Sequence, residues 1–169
     1  MDVEISPAAI DDKPLLQRML ELYLYDFTEF DGADLDQHGC FGYPYLDHYW
    51  TDLGRYPFVV RVQGRLAGFV LVFQHTYLPG NDWSVAEFFI LRKYRRQGVG
   101  KQAAFYVFDQ FRGKWEIQEM AANVPAQRFW RRIIGAYTAG RFEETTLDTA
   151  QWQGPVQYFD NRWEAARPG

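Results

Sequence analysis

AEFFILRKYRRQGVGKQAA (residues 86–104) joins an apolar run to a glycine turn and then to the start of a helical pattern. Trp83 to Leu91 is rich in β-branched and aromatic residues and reads as a strand. Val99, Ala103, Val107 and Phe111 recur every four residues, which marks a helix stopping near Gly113. Between the two, Arg92, Lys93, Arg95 and Arg96 lead into Gly98 and Gly100, and Lys101 comes next. Glycine lets backbone N–H groups approach a ligand closely and adopt positive φ. A helix start adds unsatisfied N–H donors and a partial positive charge. Together they make an anion site, and a phosphate-bearing ligand is expected on it.

Two familiar phosphate motifs fit poorly. A P-loop needs a glycine where Arg95 stands and Ser or Thr where Gln102 stands. Gly98-x-Gly100-x-x-Ala103 matches a relaxed dinucleotide fingerprint, with Glu116 or Glu119 about 20 residues on. That fingerprint, however, belongs directly behind its strand, and here RKYRRQ intervenes.

Outward from this unit the chain reads as one domain. Val3 to Ile5 is a short strand. Asp12 is placed to cap a helix with Pro14 in its first turn, and Leu16, Leu20, Tyr23, Phe27 and Phe30 form one face of it. DGADLDQHGCFGYP (31–44) is a loop, and Pro44 to Asp52 a short aromatic helix. Phe58 to Val62 and Leu66 to Phe73 flank Gln63-Gly64-Arg65 as a β-hairpin, and Pro79 to Asp82 is a second turn. Trp115 to Ala121 is a strand. Asn123 caps a helix with Pro125 in its first turn and Gly135 at its end. Phe142 to Leu147 and Val156 to Phe159 are two more strands. This order predicts an α/β (α+β) fold with a mixed sheet over residues 1–169.

Composition narrows the class. Hydrophobic residues make up 47% and aromatics 18%, enough for a packed aromatic core. No stretch approaches the roughly 20 apolar residues of a membrane span. The start, MDVEISPAAIDDK, carries no hydrophobic signal region, so a cytoplasmic protein is expected. The single Cys40 excludes an internal disulfide, and His38, His48 and His75 have no ligand spacing, so no metal is expected. The net charge of −4 is unevenly spread: residues 1–54 hold 12 acids and 2 bases, whereas 55–169 hold 10 acids and 16 bases. That split suits two sites, one for a cation and one for an anion. Nucleic acid is disfavoured, because the basic run is short and the chain acidic.

A third motif fits the turn. Arg95-Arg96-Gln97-Gly98-Val99-Gly100 matches [QR]-x-x-G-x-[GA], and NVPAQRFWRRIIG (123–135) places Asn-x-x-Ala at the next helix start. Over roughly 83–135 the chain resembles the GNAT superfamily of acyl-CoA-dependent N-acetyltransferases. The resemblance implies a mostly antiparallel mixed sheet with splayed central strands flanked by helices. It implies acetyl-CoA as cosubstrate, with its pyrophosphate on Arg95, Arg96, Gln97, Gly98, Val99, Gly100 and Lys101. Main-chain groups near Phe89 and Ile90 would hold the pantetheine and the acetyl carbonyl, and Asn123 would contact the cofactor arm or cap its helix.

Acetyl transfer needs a neutral amine, a stabilised thioester oxygen and a departing thiolate. Glu87 interrupts the apolar AEFFIL strand and is the candidate general base, since a carboxylate there is either paired or faces a cleft. Glu119 is a second candidate. The backbone N–H near Ile90 is the candidate oxyanion donor. Many relatives carry Tyr where this chain has Trp130, whose indole is no useful acid. Tyr137 or water would then protonate the thiolate.

In this fold the N-terminal helices and loop cover the acceptor. Here that segment, 1–54, is acidic and aromatic: Asp26, Glu29, Asp31, Asp34 and Asp36 interleave with Tyr23, Tyr25, Phe27, Phe30, Tyr43, Tyr45, Tyr49 and Trp50. Asp26, Glu29, Phe30 and Asp31 are the candidate substrate contacts, suiting a small cationic amine. A non-catalytic acyl-CoA-binding module and a nicotinamide-dinucleotide oxidoreductase stand as alternatives. The assembly is expected to be a monomer or a homodimer.

Overall fold

The computed structural model describes residues 2–162. Seven strands hydrogen-bond in the order β1-β2-β3-β4-β5-β7-β6. They are β1 (Val3–Pro7), β2 (Arg55–Val62), β3 (Arg65–Phe73), β4 (Trp83–Ile90), β5 (Lys114–Gln118), β6 (Glu143–Asp148) and β7 (Gln153–Asp160). Four helices accompany them: α1 (Lys13–Asp31), α2 (His48–Thr51), α3 (Val99–Gln110) and α4 (Val124–Thr138). Pairing is antiparallel for β1/β2, β2/β3, β5/β7 and β6/β7, and parallel for β4/β5. The sheet is therefore mixed, as expected. The described residues group into two compact units, one made of residues 2–73 with Val85–Ala103, the other of Gln74–Ser84 with residues 104–162.

In the first unit, α1 lays Leu16, Met19, Leu20 and Tyr23 on Val59, Phe69, Leu71 and Phe89. The three- and four-residue spacing puts these side chains on one helical face. Burying each large one is worth about 1.5–3 kcal/mol. Asp12 does not cap α1 with its side chain. The chain enters through a 3₁₀ turn, Ile10–Asp12, so Asp12 already has helical angles, and its carboxylate accepts instead from Ala9 N–H at 3.0 Å. The β2–β3 hairpin turns on Gln63 (φ 51°) and Gly64 (φ 73°), both left-handed, which matches strand twist.

One irregularity governs how β3 meets the end of β4. The β2–β3 register passes from Val60↔Gly68 to Arg61↔Leu66, so Ala67 is an extra residue, a β-bulge. The Ala67 carbonyl accepts from Leu91 N–H at 2.8 Å. At Gly68 a Cβ would lie 2.1 Å from the Phe89 carbonyl oxygen, so only glycine lets the end of β4 come this close.

In the second unit, β4 pairs with β5 over Trp83↔Trp115 and Ser84↔Glu116. Trp115, Phe108, Ile117, Ile134 and Phe159 are buried in its core. Glu116 is fully buried and accepts from Tyr77 N–H, Leu78 N–H and Asn81 Nδ2, so a carboxylate anchors the 77–81 turn. The helix expected to stop at Gly135 runs on to Thr138 and closes at Ala139 (φ 51°). Ile134 and Thr138 are buried on the same face, and that packing outweighs one glycine's poor helix propensity of about 1 kcal/mol.

Candidate active site

β4 carries the candidate chemistry. Phe89 and Ile90 are buried, and Glu87 is half-buried on the same strand. Tyr23 of α1 donates its hydroxyl to Glu87 Oε2 at 2.5 Å. The Tyr23 ring is held in place by Phe27 (4.6 Å between centroids), Phe69 (5.8 Å) and Phe89 (5.9 Å). Burial pushes the Glu87 carboxyl up to about 7, against the downward pull of the Tyr23 and Tyr43 hydroxyls. Burial and the Glu87 charge raise the phenols of Tyr23, Tyr43 and Tyr49 well above their usual range, so all three stay protonated. A carboxylate poised near neutrality and held by a phenol that keeps its proton can accept a proton and hand it on.

Behind β4 a 3₁₀ turn, Arg92–Tyr94, leads to the glycine turn. Arg95 donates Nε to the Ile90 carbonyl at 2.7 Å and Nη2 to Asp26 at 2.6 Å, with its guanidinium over the Phe89 ring. Arg92 reaches the other Asp26 oxygen, also at 2.6 Å. Burial acts to raise the Asp26 carboxyl, but the two guanidiniums outweigh it and hold it below the usual carboxylate range. Gln97 Nε2 donates back to the Lys93 carbonyl at 2.6 Å. Arg96 (φ 61°) and Gly98 (φ 82°) are both left-handed, and a Cβ at Gly98 would meet nothing within 4 Å. The turn thus bends tightly, leaves open space over Gly98 and delivers the chain to the first turn of α3 at Val99, Gly100 and Lys101. Backbone donors in that arrangement fit a phosphate-type anion.

Among the other sequence candidates, Asp26 is committed to the two arginines, whereas Glu29 and Asp31 are exposed and Phe30 is half-buried near the end of α1. Asp31 Oδ1 accepts from Ala33 N–H, closing the turn after the helix. Asn123, in the second unit, caps α4: its Oδ1 accepts from Ala126 N–H at 3.1 Å. Trp130 is buried beside Phe108 and Phe129. Tyr137 donates to Asp109 at 2.9 Å, and burial pushes its phenol up to about 12. Glu119 is 4% exposed, and both its oxygens lack a hydrogen-bond donor among the described residues. Burial pushes its carboxyl up to about 8. No group of three or more metal-ligating side chains occurs among the described residues. No helix there is long and apolar enough to cross a membrane.

Two pairings escaped the sequence reading. Tyr23 and Glu87 are 64 residues apart, and Asp26 and Arg95 are 69 apart, distances no local pattern spans. The available signal was that Tyr23 and Asp26 share one face of α1 at three-residue spacing.

Comparison with known proteins adds the family. The model of the acetyltransferase (GNAT) family matches residues 16–136. No curated protein matches the chain in sequence. Among solved structures, an acetyltransferase of the GNAT family from Staphylococcus aureus superposes with a TM-score of 0.65 at 16% identity, over 94% of this chain and 99% of that one. An acetyltransferase from Thermus thermophilus gives 0.67 at 16% identity, over 95% and 97%. The PaiA N-acetyltransferase from Thermoplasma acidophilum, solved in complex with coenzyme A, gives 0.62 at 11% identity, over 95% and 99%. At such identities the structural likeness is one of fold, and the family match spans well over half the sequence: this chain belongs to the acetyltransferase (GNAT) family.

Proposed function

We propose that this chain is an N-acetyltransferase that moves an acetyl group from acetyl-CoA to a primary amine, with Glu87 as general base and a small cationic molecule as acceptor. The observation that carries the reading is Glu87 itself: a half-buried carboxyl on β4, raised to about 7 and held by Tyr23. The use of acetyl-CoA is supported by the family and by the coenzyme A complex of the Thermoplasma protein. The glycine turn supports it too. Backbone N–H groups at Gly98–Lys101, with Arg96 and Lys101, would receive the pyrophosphate, and Arg95 would brace the turn from behind through Ile90 and Asp26.

The thioester supplies an activated acetyl group; the protein's part is to manage protons and charge. Glu87 takes a proton from the acceptor ammonium, directly or through water, which frees the nitrogen lone pair. The nitrogen forms a bond to the acetyl carbon as the carbon–sulfur bond breaks. The backbone N–H near Ile90 would stabilise the carbonyl oxygen as charge builds on it. The thiolate leaves and takes up, through water, the second proton that the nitrogen sheds as the amide forms. Trp130 is buried, and the Tyr137 hydroxyl is committed to Asp109 with its phenol raised, so both are poor acids.

The acidic, aromatic segment 1–54 supports a cationic acceptor. With Asp26 neutralised by two arginines, Glu29 and Asp31 with Phe30 are the contacts that remain for a positive acceptor. The test is amine-dependent thiol release from acetyl-CoA across a panel of amines. Cationic amines, polyamines and aminoglycosides among them, should be used at least tenfold better in kcat/KM than neutral ones, a difference of about 1.4 kcal/mol. Equal use of acidic amines would sink the charge argument, and no amine-dependent release at all would favour a binding module.

A further inference from the structure

Glu87 is ringed by tyrosines from three elements: Tyr23 on α1, Tyr43 in the loop after it and Tyr49 on α2. Arg55, at the start of β2, lies beyond Tyr49 with its guanidinium 5.5 Å from that ring. Of the three phenols, Tyr23 makes the short bond to Glu87. It is 8% exposed and packed by Phe27, Phe69 and Phe89. A phenylalanine would serve that packing equally well. The hydroxyl, buried at cost unless bonded, has its partner in Glu87 Oε2 at 2.5 Å.

We infer that Tyr23 is a positioning residue for the transfer reaction: by donating to Glu87 Oε2 it turns the other carboxylate oxygen toward the acceptor and sets the pH at which that oxygen takes a proton. This rests on the reading of Glu87 as the base. The chemistry comes from the groups themselves. An ionised carboxylate offers about four lone-pair sites, so one phenol on Oε2 leaves room for an amine or a water. Tyr23 stays protonated throughout the working range, so toward the charged carboxylate it acts as a donor; it steadies that charge and does not act as a base. Desolvation alone would hold Glu87 protonated and idle at neutral pH, and the phenol bond offsets it.

The experiment compares wild type with Tyr23→Phe. Glutamate carboxyl carbons are labelled with ¹³C, and the Glu87 resonance is identified by its loss in Glu87→Gln. In the free protein, Tyr23→Phe should move the Glu87 titration upward by about one pH unit, the size expected for one lost hydrogen bond to a charged group. The acid limb of kcat/KM should move with it, so that activity at pH 6 falls about tenfold, while the KM for acetyl-CoA is unchanged. An unmoved Glu87 resonance overturns the inference, even if Glu87→Gln still slows transfer. If Glu87→Gln leaves transfer untouched across pH, the base reading itself fails and the inference falls with it. A third measurement needs no variant: in wild type, the ¹³Cζ resonance of Tyr23 should track the Glu87 titration, and a flat resonance through that range overturns the inference.

Discussion

Glu87 meets two opposing demands. Burial favours its neutral form, whereas a base must be ionised to act. A value about 7 is the compromise: Tyr23 donates to the charged form, and the nearby Tyr43 hydroxyl favours that form as well. Two consequences belong to this residue. Activity should rise with pH through about 7 as the carboxyl loses its proton, and level off above. Glu87→Gln should lower kcat by about 10²–10⁴ and abolish that limb, with the acetyl-CoA dissociation constant within about twofold of wild type, as measured by calorimetry. Asp26 makes the complementary point. As an acidic residue in an acidic segment it read as a cation contact, but it is bonded to Arg92 and Arg95 at 2.6 Å each. Its charge is used within the protein, bracing the turn after β4.

At the scale of elements, two glycines near β4 have different roles. Gly68 is a matter of space: an added Cβ would lie 2.1 Å from the Phe89 carbonyl, and backbone cannot yield as a flexible side chain can. Gly98 is a matter of conformation: φ is 82°, with nothing within 4 Å of an added Cβ. Their alanine variants should therefore differ. Gly68→Ala should cost about 1–3 kcal/mol of stability, read from urea midpoints, by forcing β3 and β4 apart. Gly98→Ala should cost about 1–2 kcal/mol, the penalty of a left-handed non-glycine residue, and its larger effect should be on coenzyme A affinity, read by calorimetry. Equal affinity of Gly98→Ala and wild type for coenzyme A would remove this turn from the anion site.

For the whole molecule, buried carboxyls set how stability responds to pH. Glu119 is raised to about 8 by burial, with no donor on either oxygen among the described residues, and Gln157 Oε1 is likewise buried without one. A proton on Glu119 supplies the donor these acceptors lack. Since its folded value lies above the unfolded one near 4.5, the folded state keeps a proton that the unfolded state releases. The contribution is complete below about pH 4.5 and is lost as pH climbs to about 8, on the order of 1.4 kcal/mol per unit. Glu87 adds a smaller loss of the same sign up to about 7. Asp160, lowered to about 2 by Arg162, acts oppositely: its contribution is present above its unfolded value near 3.8 and disappears as pH falls toward about 2. Thermal melts from pH 5 to 9 should show a declining Tm, and Glu119→Gln should flatten most of the decline.

Local matters were legible in the order of residues. The hairpin at Gln63-Gly64, the cap at Asn123 and the strand–glycine turn–helix unit around Gly98 arise from short-range sterics and hydrogen bonding, and they could be read together with the family pattern. Glu87 also stood out, because a carboxylate in an apolar strand is costly without a partner or a purpose. Other outcomes needed the folded chain. Whether α4 stops at Gly135 or Thr138 depended on what Ile134 and Thr138 pack against. Whether Asp26 stays free and what holds Glu87 depended on partners more than sixty residues away. Charge and hydrogen-bond partners are properties of position in space, and the fold alone brings Tyr23 to Glu87.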